Sequence, residues 1–133
     1  MAYWLFKQEP SSYSYTDLER DGRTTWDGVK NNLALKHLRT VRKGDKALFY
    51  HTGEEKQAVG MIEITSDPYP DHKDKSLVVV DVKPTGRLAK PITLGQIKGD
   101  PAFADWELVR ISRLSVMPVP PVLWQKIIKM AGK

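Results

Sequence analysis

Short apolar runs rich in aromatic and β-branched residues, with alternating polar residues over 58–65, are separated by turn residues along most of the chain. This pattern is typical of half-buried β-strands. Strands are predicted at residues 3–7, 46–51, 58–65, 77–84 and 113–119. Short helices are predicted at residues 16–22, 31–44, 93–98, 101–109 and 120–130. Since the helices do not follow the strands as repeated βαβ units, we expect an α+β fold. The strand count favours a small, partly closed barrel with helices at its ends.

Local signals set the ends of the two helices in the first third of the chain. Thr16 and Glu19 have the spacing of a capping box, and Gly22 can end that helix. Either Asn at positions 31–32 can cap the next helix, which Gly44 is expected to end. The apolar residues expected on the buried side of this second helix are Ala34, Leu38 and Val41. Another side of it collects the basic residues Lys36, Arg39 and Lys43.

The net charge of +5 is concentrated in one part of the chain. Residues 20–46 contain eight basic and three acidic residues, and the rest of the chain is neutral. A local basic excess is typical of a surface that binds nucleic acid or another anion, and also of a solvated helix face. The residues expected to contact phosphate are Lys30, Lys36, Arg39 and Lys43.

The absence of several motifs narrows the function classes. The chain has no Cys, which excludes disulfides, thiolate metal sites and a Cys nucleophile. Its three His residues are scattered and it has no glycine-rich phosphate loop, so no metal and no cofactor are expected. The chain has no apolar run of about 18 residues, so no membrane span is expected, and the first ten residues lack a signal-peptide pattern. The expectation is a cytoplasmic, monomeric protein that makes no membrane contact.

An indole beside turn residues is the most unusual local feature. Trp26 directly precedes Asp27 and Gly28, a segment with turn chemistry in which a large aromatic side chain is hard to bury. It is either an isolated core anchor or a stacking platform for a flat ligand. Tyr50 and His51, at the end of a predicted strand, can rim a pocket. The side chains with donors and acceptors suited to a base edge are Gln8, Asn31, Thr52 and Ser115.

Several of these residues also have a structural interpretation. Asn31 can be the N-cap of the following helix. Lys7 can pair with Glu9, because the two share one side of an extended segment. Arg113 and Ser115 can be exposed residues of a strand.

Five segments resemble the EVE domain in their order and spacing. They are residues 3–18, 24–39, 43–53, 58–64 and 109–124. The resemblance runs from about Trp4 to Trp124 and implies that residues 1–133 form a single EVE domain. It implies a PUA-like fold, a mixed β-barrel of five to six strands with short peripheral helices. It also implies a module without catalytic residues, similar to readers of methylated bases, that binds a modified nucleobase in DNA or RNA.

The resemblance also suggests where the base binds. Trp26 would be one wall of an aromatic pocket, with Tyr50 opposite it. Lys30 stands where the family has Arg, and Gln8 where it has Ser, so the ligand preference can differ. The full set of implied pocket residues is Trp26, Tyr50, Lys7, Gln8, Asn31, His51, Thr52, Gly28, Val29, Ser115 and Arg113.

Two alternative functions remain open at the level of sequence. PUA-like barrels of the ASCH type include small amidohydrolases that act on modified nucleosides, and Lys7, Thr52 and Glu9 imitate a Lys-Thr-Glu set. The basic helix can instead belong to a protein-interaction module.

Overall fold

The computed structural model describes residues 1–132, which form seven strands and five α-helices. The strands are Tyr3–Gln8 (β1), Thr24–Trp26 (β2), Lys46–His51 (β3), Gln57–Ile64 (β4), Tyr69–Pro70 (β5), Val78–Thr93 (β6) and Val116–Pro118 (β7). The helices are Tyr15–Asp21 (α1), Asn32–Leu38 (α2), Leu94–Lys98 (α3), Glu107–Arg110 (α4) and Pro121–Met130 (α5). A 3₁₀ turn at Pro101–Phe103 joins α3 to α4.

The strands form one mixed sheet in the order β2-β6-β4-β3-β1-β7, and β5 adds to β6. β1 and β3 run parallel, whereas the other pairs are antiparallel. The pairing of β4 shifts register against both neighbours, and such irregularities bend a sheet. The sheet therefore curls into a half-barrel, with α2 in contact with both β6 and β7. This confirms the expected α+β, barrel-like fold.

The strand boundaries differ from the prediction in three places. β2 and β5 have only three and two residues, too few to show alternation in the sequence. β6 continues for 16 residues, beyond the predicted end at 84. β7 has only three residues, so Arg113 and Ser115 lie before this strand and not within it.

Helix α1 has a different cap from the one that the sequence suggested. Its N-cap is Ser14, whose hydroxyl accepts from the Asp17 amide at 3.1 Å. The Asp17 carboxylate accepts from the Ser14 amide at 2.9 Å and completes the capping box. Thr16 and Glu19 therefore lie inside the helix, and the predicted box was wrong. Gly22, at φ 77°, ends the helix as expected.

Helix α2 is shorter than predicted, because it ends at Leu38 and not near Gly44. The Thr40 hydroxyl donates to the His37 carbonyl at 2.8 Å and supplies a local partner for a group at the end of the helix. Gly44, at φ 94°, lies in the turn that leads into β3. The expected apolar stripe is nevertheless buried at all three positions, which are Ala34, Leu38 and Val41.

A buried carboxylate joins the start of β3 to the start of β1. Asp45 is 5% exposed and accepts from the Ala2 amide at 3.0 Å and from the Trp4 indole N–H at 2.9 Å. It also accepts from the Arg42 amide at 2.9 Å. These three donors satisfy an anion that would otherwise be costly to bury.

Helix α5 covers the outer face of the sheet. The Trp124 ring stacks on Tyr3 with ring centroids 4.3 Å apart, and Ile127 is fully buried. Val122, on the same helix, is 75% exposed and does not pack against the sheet. Within residues 1–132 we find no helix with the length and apolar character needed to cross a bilayer.

Candidate functional site

Trp26 is the last residue of strand β2, where it pairs with Val80, so it lies in a strand and not in the expected loop. The turn follows it, and Gly28 has the left-handed φ of 75°. The indole is only 3% exposed and lies 5.2 Å from the Phe6 ring and 5.3 Å from the Phe49 ring, measured between centroids. Most of its surface therefore anchors the core inside the half-barrel.

The remaining edge of Trp26 lines a cavity of about 440 Å³, which we call the Trp26 cavity. Its lining residues are Gln8, Ser12, Tyr13, Thr24, Thr25, Trp26, Asp27 and Gly28. The Tyr13 hydroxyl donates to Asp21 at 2.8 Å, and burial followed by this hydrogen bond raises the pKa of Tyr13. The lining is thus rich in hydroxyl and amide groups around one aromatic edge, which suits a flat polar ligand.

The indole N–H of Trp26 is available for such a ligand. The N–H groups of Trp4 and Trp106 donate to Asp45 and to the Pro118 carbonyl. The N–H of Trp26 donates no hydrogen bond within residues 1–132. It is not fully enclosed there either, because the one fully enclosed side-chain polar atom without a partner belongs to His37.

A second cavity, of about 280 Å³, lies on the other face of the sheet, and we call it the Lys7 cavity. Its lining residues are Lys7, Tyr50, Thr52, Gly53, Lys56, Leu94, Lys98, Leu108, Val109 and Ser112. Strand alternation explains the separation, because Phe49 faces Trp26 and its neighbour Tyr50 faces away. The structure therefore does not bring Tyr50 and Trp26 together as two walls of one pocket.

Lys7 and Tyr50 are neighbours in the Lys7 cavity. The Lys7 ammonium lies 5.6 Å from the centre of the Tyr50 ring and donates to the Ser112 carbonyl at 3.0 Å. Burial lowers the pKa of Lys7 and raises the pKa of Tyr50 to about 12, because a low-dielectric site disfavours the charged form of each.

Two members of the predicted Lys-Thr-Glu set line the Lys7 cavity, and the third, Glu9, does not line it although its Oε1 lies beside Gly53, which does. Lys7 and Thr52 line the same cavity, but the Glu9 carboxylate accepts from the amide and hydroxyl of Ser11 at 2.6 and 2.7 Å. These hydrogen bonds lower the pKa of Glu9. Lys7 does not pair with Glu9 either, since it donates to Ser112.

Two other predicted pocket residues have structural partners. Asn31 is the N-cap of α2 and accepts from the Ala34 amide at 3.0 Å. His51 is 6% exposed, and its Nε2 accepts from the Tyr15 amide at 3.1 Å. The Nδ1–H of this tautomer donates to Glu55 at 2.9 Å, so both ring nitrogens are occupied.

The other predicted residues surround the cavities without lining them. Val29 is buried in the core at 5% exposure, and the Ser115 carbonyl accepts from the Lys7 amide at 2.9 Å. Arg113 is exposed in the turn before β7. Of the predicted pocket residues, only Gln8, Trp26 and Gly28 line the Trp26 cavity, whereas Lys7, Tyr50 and Thr52 line the Lys7 cavity.

The predicted phosphate contacts do not form one continuous face. Lys30 and Lys36 are exposed at the start of α2 and on its surface. Arg39 donates to the Ser76 carbonyl at 3.3 Å. Lys43 lies in the turn before β3, at the opposite end of this strand from Tyr50, because α2 ends before the basic spacing is complete.

Part of both linings could not be predicted from the sequence. Ser12, Thr24 and Thr25 carry no pattern that separates them from ordinary loop and strand residues. Lys56 has an unusual φ of 47°, and Lys98 lies on the five-residue helix α3, but neither feature is visible in the sequence. No group of three metal-ligating side chains occurs in the described part of the chain.

Known proteins provide an independent comparison. A family model described as the EVE domain matches residues 2–130. Thymocyte nuclear protein 1 of Rattus norvegicus is 38% identical over 82 residues, which cover 53% of this chain and 36% of the rat protein. The matched part is thus only about a third of that relative.

Solved structures show the same similarity over the whole chain. A Rhodopseudomonas palustris protein solved by NMR is 42% identical, with a TM-score of 0.94 and coverage of 99% of this chain and 94% of that chain. The human THYN1 protein in complex with 5-methylcytosine-containing DNA is 25% identical, with a TM-score of 0.92 and coverage of 100% and 99%. An ASCH protein from Zymomonas mobilis, 9% identical with a TM-score of 0.61 and coverage of 97% and 95%, shows similarity of fold alone.

These comparisons agree with the curled mixed sheet and confirm the PUA-like fold. The family match covers nearly every residue that the structure describes. The chain belongs to the EVE domain family.

Proposed function

We propose that this protein is a binding module for a modified nucleobase in DNA or RNA, and that the base enters the Trp26 cavity. The observation that carries the proposal is the similarity over the whole chain to the human protein whose structure contains 5-methylcytosine DNA. The cavity supports it, because it combines an aromatic edge with hydroxyl and amide groups in a volume of about 440 Å³.

The burial of Trp26 changes how the base would be held. Stacking on an exposed aromatic face contributes ~1–3 kcal/mol per base. A ring that is 3% exposed and packed on Phe6 and Phe49 offers an edge and an indole N–H instead of a face. Trp26 therefore acts as a donor and a wall of the cavity, and Tyr50 is not its opposite wall.

Gln8 is the residue best placed to read the base edge. Its Oε1 accepts from the Glu9 amide at 3.2 Å, which orients the side chain, and its NH₂ group has no partner within residues 1–132. The NH₂ group can donate to a base acceptor, while Asp27 can accept from an exocyclic amine. The bulk of Gln8, where the family has Ser, gives this protein its own preference among modifications.

Phosphate contacts would come from Lys30 and Lys36, which are exposed, and from Arg39, which the Ser76 carbonyl orients. Lys43 lies too far along the sheet to contact the phosphate next to the base, because the six residues of β3 span roughly 20 Å. Affinity would fall with salt as counterions compete. Single strands and mismatched sites would bind better than a paired base, which costs a few kcal/mol to extrude.

A matched pair of variants tests the proposal. Short single strands that differ only in one modified base are titrated against wild type, Gln8→Ala and Gln125→Ala, the last on an exposed position of α5. We expect wild type to prefer one modified strand over its unmodified equivalent. Gln8→Ala should lose that preference, and Gln125→Ala should keep it. Equal binding of all modified and unmodified strands by the wild type would refute the proposal.

A further inference from the structure

We propose that the Lys7 cavity is a second subsite of the protein and holds a phosphate of the same nucleic acid strand, next to the base in the Trp26 cavity. This inference rests on the proposed function and extends it to a surface that sequence reasoning did not connect with phosphate. Lys7, Lys56 and Lys98 all line the cavity, and none of the lining residues within 1–132 is acidic.

The three lysines lack carboxylate partners. None of them has an ion pair in the described part of the chain. Among the nearby carboxylates, Glu9 accepts from Ser11 through its Oε2 while its Oε1 lies beside Gly53, and Glu55 accepts from His51. Three lysines around a concave site with apolar walls, none of them ion-paired within residues 1–132, still concentrate positive charge there and attract an anion.

Lys7 is the half-buried member of this group, whereas Lys56 and Lys98 are exposed. Its ammonium has three donors, of which the Ser112 carbonyl takes one. Burial without a counterion destabilises the charged form, so an anion that reached the cavity would remove part of this cost. A phosphate oxygen can accept from the remaining donors and pair with the charge.

Lys56 is held at the cavity by a backbone conformation that its side chain does not favour. It is the one non-glycine residue with positive φ in residues 1–132, at 47°. The carbonyl of Lys56 accepts from the Leu94 amide at 2.8 Å, which fixes the loop against the start of α3. Backbone strain of this kind is common at ligand sites, and Lys56 lines the same cavity as Lys98.

The position of the two cavities indicates that the ligand is a nucleic acid strand and not a separate small anion. Gln8 lines one cavity and Lys7 lines the other, and these consecutive residues point to opposite faces at the end of β1. The cavities therefore flank the same end of the sheet. A strand that crosses this end would place a base on one side and its neighbouring phosphate on the other. Leu108 and Val109 provide apolar walls for the adjoining sugar.

A charge-matched comparison tests the inference. The variant Lys56→Gln/Lys98→Gln removes two charges from the cavity. The control Lys46→Gln/Lys83→Gln also removes two charges. Both of these lysines are register partners of Glu63, at the end of the sheet opposite Tyr50. Affinities are measured over a range of salt for a short single strand containing 5-methylcytosine, and for free 5-methyldeoxycytidine.

We expect the cavity variant to bind the oligonucleotide at least about tenfold more weakly than the control at low salt. If the cavity holds one phosphate, the slope of log affinity against log salt concentration should be smaller in magnitude by about 0.7 for the cavity variant than for the control. Its affinity for the free nucleoside should match that of the control. The inference is overturned if the two variants bind the oligonucleotide with equal affinity and equal salt slopes.

The unmodified strand separates the two hypotheses. If the wild type binds modified and unmodified strands equally, the proposed function fails. The comparison of the two double variants on the unmodified strand then still decides whether the Lys7 cavity holds a phosphate. Loss of affinity in the cavity variant alone supports the subsite, and equal affinities refute it.

Discussion

Gly60 gives the most direct test of how the core supports the Trp26 cavity. A Cβ added at Gly60 would overlap the Tyr15 ring, so the ring would have to move. Tyr15 is fully buried at the start of α1, its hydroxyl donates to the Met61 carbonyl at 2.7 Å, and it accepts from the Gly86 amide at 3.1 Å. The Gly60→Ala substitution should therefore disturb both hydrogen bonds and the packing of α1.

The expected cost can be worked out from these contacts. Two hydrogen bonds contribute about 0.5–1.5 kcal/mol each, and an overpacked core costs about 1–3 kcal/mol. We expect Gly60→Ala to lower the free energy of unfolding by roughly 2–6 kcal/mol, measured by urea denaturation. Because α1 follows the loop that carries Ser12 and Tyr13, base binding should weaken together with stability.

Gly95 provides the matched control. It lies in α3, where an added Cβ would meet only the Thr93 hydroxyl oxygen, at 3.8 Å. Gly95→Ala should leave stability unchanged or raise it by up to about 1 kcal/mol through helix propensity. If Gly60→Ala unfolds within 1 kcal/mol of the wild type, the close approach of Tyr15 to Gly60 does not limit the core as we describe.

Substitutions at three further positions probe other parts of the fold. Burial lowers the pKa of His37, so just below pH ~6.5 the unfolded chain binds more protons than the folded protein, and stability should decrease as the pH is lowered through that range. Thermal melts of His37→Gln should show a smaller decrease, and a pH profile identical to that of the wild type would contradict this. Asp45→Ala leaves three neutral N–H donors without their acceptor and, at about 1–3 kcal/mol for each unsatisfied donor, should cost at least about 3 kcal/mol in urea denaturation; a loss below about 1 kcal/mol would show that this network contributes little. Asn31→Ala removes the cap of α2 and should cost about 1 kcal/mol, whereas Asn31→Asp should retain the cap, and equal melting of the two variants would contradict that role.

The elements of the fold were largely predictable because local chemistry determines them. The short apolar and aromatic run over residues 46–51 matches β3, and Gly22 ends α1 where its φ is positive. The end of α2 was not predictable from spacing, since Val41 continues the apolar stripe after the helix has stopped. At that point the Thr40 hydroxyl donates a hydrogen bond to the His37 carbonyl, which hydrophobic periodicity cannot predict.

The candidate site was predictable only in part because it depends on which faces meet across the sheet. Alternation places Phe49 and Tyr50 on opposite sides of β3, but it does not say which side meets Trp26. The parallel register of β1 with β3 decides this, and it assigns Lys7 and Gln8 to different cavities. Lys56 and Lys98 become neighbours only through the tertiary fold.

The measurement that tests the central claim most directly is an NMR titration of the four indole N–H signals. A single strand containing 5-methylcytosine is added to the labelled protein, and the unmodified strand is added to a second sample. We predict that the Trp26 signal shifts more with the modified strand, while the Trp4 signal, whose N–H donates to buried Asp45, stays in place. If the Trp26 signal does not move while the amides of Lys30 and Lys36 shift equally with both strands, the protein binds nucleic acid without reading a base in this cavity.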